Sequence, residues 1–385
     1  MSPEFPDRAS VVIVGGGVMG LAAAYELARA GVPDVVLLEQ GALGEGSTCK
    51  AAGGVRAQFS DELNIALGAR SLDTFECFGH LFDTDIDLHK SGYLFLLSDD
   101  AAVKVFENSA RLQRDQGLES HLITVAEAKA KSPYINTDGL VAAAWTPRDG
   151  HCTPESVVAG YARAARRHGA TLITGCAATG IELDGDQITA VTSQRGRIAT
   201  DTVICAAGAW SARVGEWVGV NLPVEPLRRE LVITEPVPGR PDDTPFTIDQ
   251  ATTMYFHNEG RGLLIGMSCA TETPGFKLKR SDDFLGDLAE AMAHRVPDLA
   301  DVGLASGWAG LYENTPDHNA LIGVDRRVSR FLYATGFSGH GFLQGPAVGE
   351  VLRDLYLDKA PFVDVTSMSA DRFAGSELRP EFNIV

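Results

Sequence analysis

Apolar residues along this chain follow two rhythms. Unbroken apolar runs at 11–14, 35–38 and 203–206 read as short strands buried on both faces of a parallel sheet. Between the first two, Ala24, Leu27 and Ala28 recur at helical spacing, and Gly31 stops the helix. Helical spacing returns at 63–78, 101–116 and 124–131, and strand-like runs stand at 92–97 and 140–145. Thr153 and Pro154 start a helix that runs to His168, where Gly169 ends it before a strand at 171–174. Residues 187–194 and 197–199 read as a hairpin about Arg195 and Gly196. Runs at 224–234, 253–257 and 262–267 alternate as antiparallel strands suited to roofing a pocket. Tyr255 is expected to face that pocket, and its neighbours Phe256 and His257 are not. A helix at 282–295, a strand at 303–312, a strand at 331–335 and a helix over 345–357 complete the pattern.

The glycines between these elements carry the first chemical signal. Gly15, Gly17 and Gly20 stand at G-x-G-x-x-G spacing between the first strand and its helix. The first allows the turn, the second lets backbone approach a diphosphate, and the third lets helix and strand pack closely. The helix N-terminus offers free N–H groups and positive potential to that diphosphate. Glu39 ends the second strand, placed to hold both hydroxyls of an adenosine ribose. An acid there argues against a 2′-phosphate, so the ligand is FAD or NAD rather than NADP. Small residues dominate 41–54, a stretch able to lie against a flat ligand, and Ser47 and Thr48 add hydroxyls for a diphosphate. Arg56 stands alone beyond it, as a structural ion pair or as a bidentate anion receptor. His151, beside a turn glycine, reads as a surface or capping residue rather than a base. Ala207-Gly208 is a second sharp turn at a strand end. GFSGHG, at 336–341, is a third, followed by a helix whose N-terminus can face developing negative charge.

Composition narrows the class. The 385 residues carry a net charge of -18, which disfavours nucleic acid or an anionic membrane surface as partner. No apolar run reaches the roughly 20 residues that span a bilayer. The opening MSPEFPDRAS has no apolar signal core, and six scattered cysteines make neither C-x-x-C nor a metal spacing. A reduced, metal-free, cytoplasmic protein is expected.

Taken together, the N-terminal glycines, GSTCKAAGGVR, AAGAW, GLYENTPD and GFSGHGF resemble the D-amino-acid oxidase superfamily of flavoproteins. The resemblance covers nearly the whole chain and is nearest to sarcosine oxidase, sarcosine and dimethylglycine dehydrogenases and the L-proline dehydrogenase β subunit. It implies an α/β fold: a Rossmann-type, glutathione-reductase-like FAD domain with a mixed-sheet substrate domain inserted. The implied boundaries are 1–90, 145–220 and 320–385 for the first, and 91–144 and 221–319 for the second. FAD would lie along Gly15, Gly17, Gly20, Glu39, Ser47, Thr48, Ala52, Gly53, Gly208, Trp210 and Gly310. Gly339, His340 and Gly341 would meet its isoalloxazine. Arg56, Tyr255 and His340 are the implied catalytic side, with Arg56 matching the family's carboxylate-binding arginine. The implied reaction is hydride transfer from a carbon beside an amine nitrogen, with hydrolysis of the imine.

Four departures refine this. Gly310 stands where sarcosine oxidase carries a flavin-linked cysteine, and Lys50 where dimethylglycine dehydrogenase carries a flavin-linked histidine, so FAD is expected to be non-covalent. Leu264 or a neighbour replaces the lysine that helps activate oxygen, and Leu343 replaces a second lysine on the substrate carboxylate. Lys50 could substitute for the first of these but the sequence does not place it, so electron acceptors other than O2 gain weight. A secondary amine or N-substituted amino acid (sarcosine-, proline- or iminodiacetate-like) is the expected substrate. The alternatives are an oxidase of primary amino acids and a flavin-bearing subunit or assembly factor with a partner chain.

Overall fold

The computed structural model describes residues 5–281, 283–375, 378 and 380–383. Two large sheets organise it. The first has six strands in the order Leu321–Val324, Phe331–Thr335, Val203–Cys205, Val11–Val14, Val35–Leu38 and Thr171–Ile173. All neighbours are parallel except the first pair. Burial on both faces explains the unbroken apolar runs. Val11, Ile13 and Leu37 pack under the helices Val18–Arg29, Pro154–Arg167 and Gly341–Tyr356. Val12, Val14 and Leu38 face a three-stranded meander, Ala178–Asp184, Gln187–Ser193 and Gly196–Ala199.

The second sheet has eight strands in the order Leu304–Asn314, Glu225–Thr234, Gly262–Met267, Tyr255–Glu259, Phe246–Asp249, Tyr93–Leu97, Ala142–Thr146 and His121–Ile123. Only the contact between Phe246–Asp249 and Tyr93–Leu97 is parallel. Leu94, Phe256, Leu263 and Ile265 pack under the helix Leu285–Arg295. Tyr93, Phe95, Phe246, Tyr255, Leu231 and Leu264 make the opposite face, which looks toward the glycine turns.

The chain differs from its sequence pattern in a few places. Ala178–Asp184 and Phe246–Asp249 are strands with no clear apolar alternation. The 63–78 helix spans Glu62–Glu76, with a separate short helix at Phe78–Phe82. The expected start of the 282–295 helix at Asp282 lies outside the described residues, and the helix itself spans Leu285–Arg295. The last helix begins at Gly341, not Gly345, with Pro346 inside it. Burial of Phe342 and Leu343 outweighs the local preference of glycine and proline against helix. His257 also corrects the facing rule applied above. Strand side chains repeat every two residues, so His257 shares the face of Tyr255, and both stack on Phe246. His151 is likewise no surface residue: it is buried between His89 and His257, at ring distances of 5.0 and 4.1 Å. Burial pushes His151 down to about 2 and His257 down to about 4, so both rings are neutral near pH 7.

Candidate functional site

The first glycine turn is made by close backbone contact. Gly15 has φ +113°, and a Cβ there would lie 2.2 Å from the Ala206 carbonyl oxygen. A Cβ at Gly20 would lie 1.9 Å from the Gly15 oxygen, so these two glycines lock strand, turn and helix together. Gly17 caps the helix with no side-chain bond of its own. The Thr48 hydroxyl oxygen accepts from the Val18 N–H at 3.1 Å, which leaves its own hydrogen to give. Glu39 accepts from the N–H groups of Gly16 at 2.7 Å and Gly41 at 2.8 Å, which fixes its carboxylate at the end of the second strand.

The small-residue loop runs from that corner to the second sheet, where three side chains hold it. The Ser47 hydroxyl donates to the Leu311 carbonyl at 2.7 Å, and the Trp308 indole N–H donates to the Lys50 carbonyl at 3.0 Å. His257 Nε2 lies 2.9 Å from the Ala52 carbonyl oxygen. The loop, both other glycine turns and the aromatic face of the eight-stranded sheet enclose one cavity of about 340 Å³. Every site residue expected from sequence lines it except Gly20, which packs behind it. Tyr93, Phe246, Tyr312, Glu313 and Arg229 line it too. Tyr312 and Glu313 belong to the GLYENTPD stretch, whereas the other three sit in strands whose facing depends on register.

Charge inside this cavity is tightly arranged. Arg56 is buried, donates through Nη1 to the Gln58 carbonyl and through Nη2 to the Asn383 carbonyl at 2.6 Å. Its guanidinium carbon stands 4.3 Å from the Phe59 ring centre. Two of its five N–H donors are thus committed to backbone, and three remain. No carboxylate pairs with it among the described residues; Glu381 and Asp149 act on it only at longer range. Burial, with Arg56 close by, holds His340 well below the ordinary imidazole range, so that ring is neutral. Burial raises the phenols of Tyr93, Tyr255 and Tyr312, which stay protonated. Burial also pushes the Glu313 carboxyl up to about 7, against the pull of Thr335 and the N–H groups of Gly336 and Phe337. Glu313 bridges the second and third turns: its Oε2 takes a 3.0 Å bond from Thr335, whose hydroxyl oxygen is also 3.1 Å from the Gly208 carbonyl.

Residues 10–355 match the family model described as FAD dependent oxidoreductase, DAO. The chain belongs to the DAO family. It is 34% identical to FAD-dependent oxidoreductase domain-containing protein 1 of Xenopus laevis, over 99% of this chain and 85% of that protein. It is 30% identical to mouse mitochondrial sarcosine dehydrogenase over 97% of its own length, but spans only 42% of that relative. The crystal structure of L-proline dehydrogenase from P. horikoshii superposes with a TM-score of 0.91, at 31% identity, covering 97% of this chain and all of that one. A DAO-family chain is an FAD-dependent oxidoreductase acting on amines or amino acids, and this one has the α/β architecture of its relatives.

The DAO cofactor fits the residues present. Side chains on Gly15, Gly53 or Gly339 would strike neighbouring atoms at 2.2, 2.1 and 2.6 Å, so the three bends depend on bare backbone. At the last of these the struck atom belongs to the Tyr312 ring, which lies against the turn. The Gly17 corner keeps a helix N-terminus open on the cavity wall beside the Thr48 hydroxyl, the donor set a diphosphate needs. Among the described residues no His, Cys, Asp and Glu group suits a metal ion, and no helix is long and apolar enough to cross a membrane.

Proposed function

We propose that this chain oxidises the C–N bond of a secondary amine or N-substituted amino acid, with non-covalently held FAD and an electron acceptor other than O2. The observation that carries the reading is Arg56, a guanidinium with spare donors on the wall shared by the glycine turns and the aromatic roof. It would anchor the substrate carboxylate and set the amine against the cofactor's reactive face. Bound FAD supplies the hydride acceptor. The substrate carbon gives up hydride with its electron pair, the nitrogen lone pair becomes the C=N bond, and water releases carbonyl compound and shortened amine.

The chain's own residues bind and exclude water rather than move protons. His340 is neutral and stacks edge-on against Phe59 at 4.9 Å, a wall rather than an acid. Tyr255 and Tyr93 flank Phe246 in a dry roof, Tyr93 stacked on it at 4.3 Å. An amine that arrives uncharged needs no base. Glycine at 310 and lysine at 50 supply neither linkage of the covalent relatives, which supports a dissociable cofactor. Leu264, buried on the roof face, brings no cation where the resemblance places lysine, which supports a dehydrogenase.

Trapping the carbonyl product with a hydrazine tests the reading. With an artificial acceptor, N-alkyl amino acids should yield one carbonyl per electron pair. Keto acids from primary amino acids, with nothing from N-alkyl ones, would overturn it.

A further inference from the structure

Two adjacent arginines on the strand Glu225–Thr234 have opposite surroundings. Arg228 points away from the cavity and meets Glu272 at 2.6 Å, Glu230 at 3.6 Å and Asp283 at 3.9 Å. Arg229, one residue on, faces the other side of the sheet and lines the cavity. Among the described residues no carboxylate comes within ion-pair distance of it. Its Nε is buried with no hydrogen-bond partner, and Nη1 donates only to the Arg228 carbonyl at 3.2 Å. A guanidinium half-withdrawn from water with an unmet donor is a standing penalty unless an anion arrives.

Strand register sets what stands across from Arg229. Arg229 lies directly opposite Gly310, and Leu227 opposite Tyr312, on the neighbouring strand. Glycine at 310 makes way for the Lys50 side chain, whose Cβ stands 2.7 Å from where a Cβ on Gly310 would lie. The Arg229 guanidinium carbon stands 5.1 Å from the Tyr312 ring centre. Tyr312 in turn packs against Gly339, at the third turn, and feels both Arg229 and Arg56. Both guanidiniums thus act on Tyr312 in one cavity, and neither has a paired carboxylate among the described residues.

We infer that Arg229 is a second anion receptor, and that the substrate is a secondary amine bearing two carboxylates, one for each guanidinium. The substrate assignment rests on the C–N oxidation reading, and the receptor does not. Sulfur analogues separate the two. Thiodiacetate and methylthioacetate mimic a diacid and a monoacid amine with no nitrogen to oxidise, and their binding is read as a change in flavin absorbance of the holoenzyme. The diacid should bind about tenfold tighter or better, the worth of one charge-assisted contact. Arg229→Gln should bring that preference to within about twofold, and Arg229→Lys, which keeps the charge without the fork, should leave part of it. Should the Gln variant fail to hold flavin, the wild-type ratio and the Lys variant decide. Equal affinities in the wild type, or a full preference retained in Arg229→Gln, would overturn the second receptor. In parallel, iminodiacetate and sarcosine are tested as reductants under the same conditions. A diacid preference with no amine reducing the flavin would support the receptor while refuting C–N oxidation. Reduction by sarcosine with no diacid preference would do the reverse.

Discussion

At the residue scale, buried charge governs the cavity. Arg56 combines a structural role, through the Gln58 and Asn383 carbonyls, with donors left for a ligand. Arg56→Lys keeps charge but loses the fork, so flavin should stay bound while the substrate KM rises about tenfold or more. Unchanged KM in steady-state assays would remove Arg56 from the site. Glu313 gives a pH signature. Its folded-state carboxyl titrates at about 7, against 4.5 unperturbed, so the native state keeps its proton longer than the unfolded chain. Its contribution to stability is therefore full below pH 4.5 and lost as pH rises toward 7. Relative to wild type, Glu313→Gln should gain up to about 3 kcal/mol across that window, read from paired melting curves. A flat difference would mean the carboxyl is not desolvated. Residue types were readable here, but surroundings were not. The lone Arg56 stood out among small residues, whereas Arg229 hid inside an RRE run whose two faces only strand register separates. His151 misled for the same reason, since its stack is built by His89 and His257 from distant segments.

At the element scale, the small-residue loop has one short turn of its own, Thr48–Lys50, and is pinned to the eight-stranded sheet by side chains. Its pins come from Trp308, His257 and Ser47, and the first two belong to the eight-stranded sheet. Trp308→Phe removes one donor while keeping the ring. FAD dissociation measured by fluorescence should rise about fivefold, the worth of one hydrogen bond of ~1 kcal/mol. No change would show that the loop is positioned by packing alone. A change at Gly15 should be harsher. Gly15→Ala drives a Cβ into the Ala206 carbonyl and should yield protein without bound flavin. The strand–glycine–helix unit was legible because local spacing and burial agree there. Phe246–Asp249 was not, because four residues between turns carry too little pattern. The start of the last helix is not legible because Gly339, Gly341 and Pro346 argue locally for a loop, and only tertiary burial of Phe342 and Leu343 decides otherwise.

At the scale of the molecule, the six-stranded sheet gathers strands from residues 11–38, 171–205 and 321–335, and the eight-stranded sheet draws mainly on those between. Turns far apart in sequence thereby meet across one crevice, at the carboxyl ends of parallel strands where α/β folds hold dinucleotides. Acid precipitation of purified protein should release the yellow chromophore into the supernatant. A pellet that stays yellow would indicate a covalent link. The most direct measurement is the visible spectrum of the holoenzyme during anaerobic titration with secondary amines and primary amino acids. Bleaching of the flavin band by an N-substituted amino acid, and not by its primary counterpart, is the predicted result. Bleaching only by primary amino acids or hydroxy acids would contradict the account.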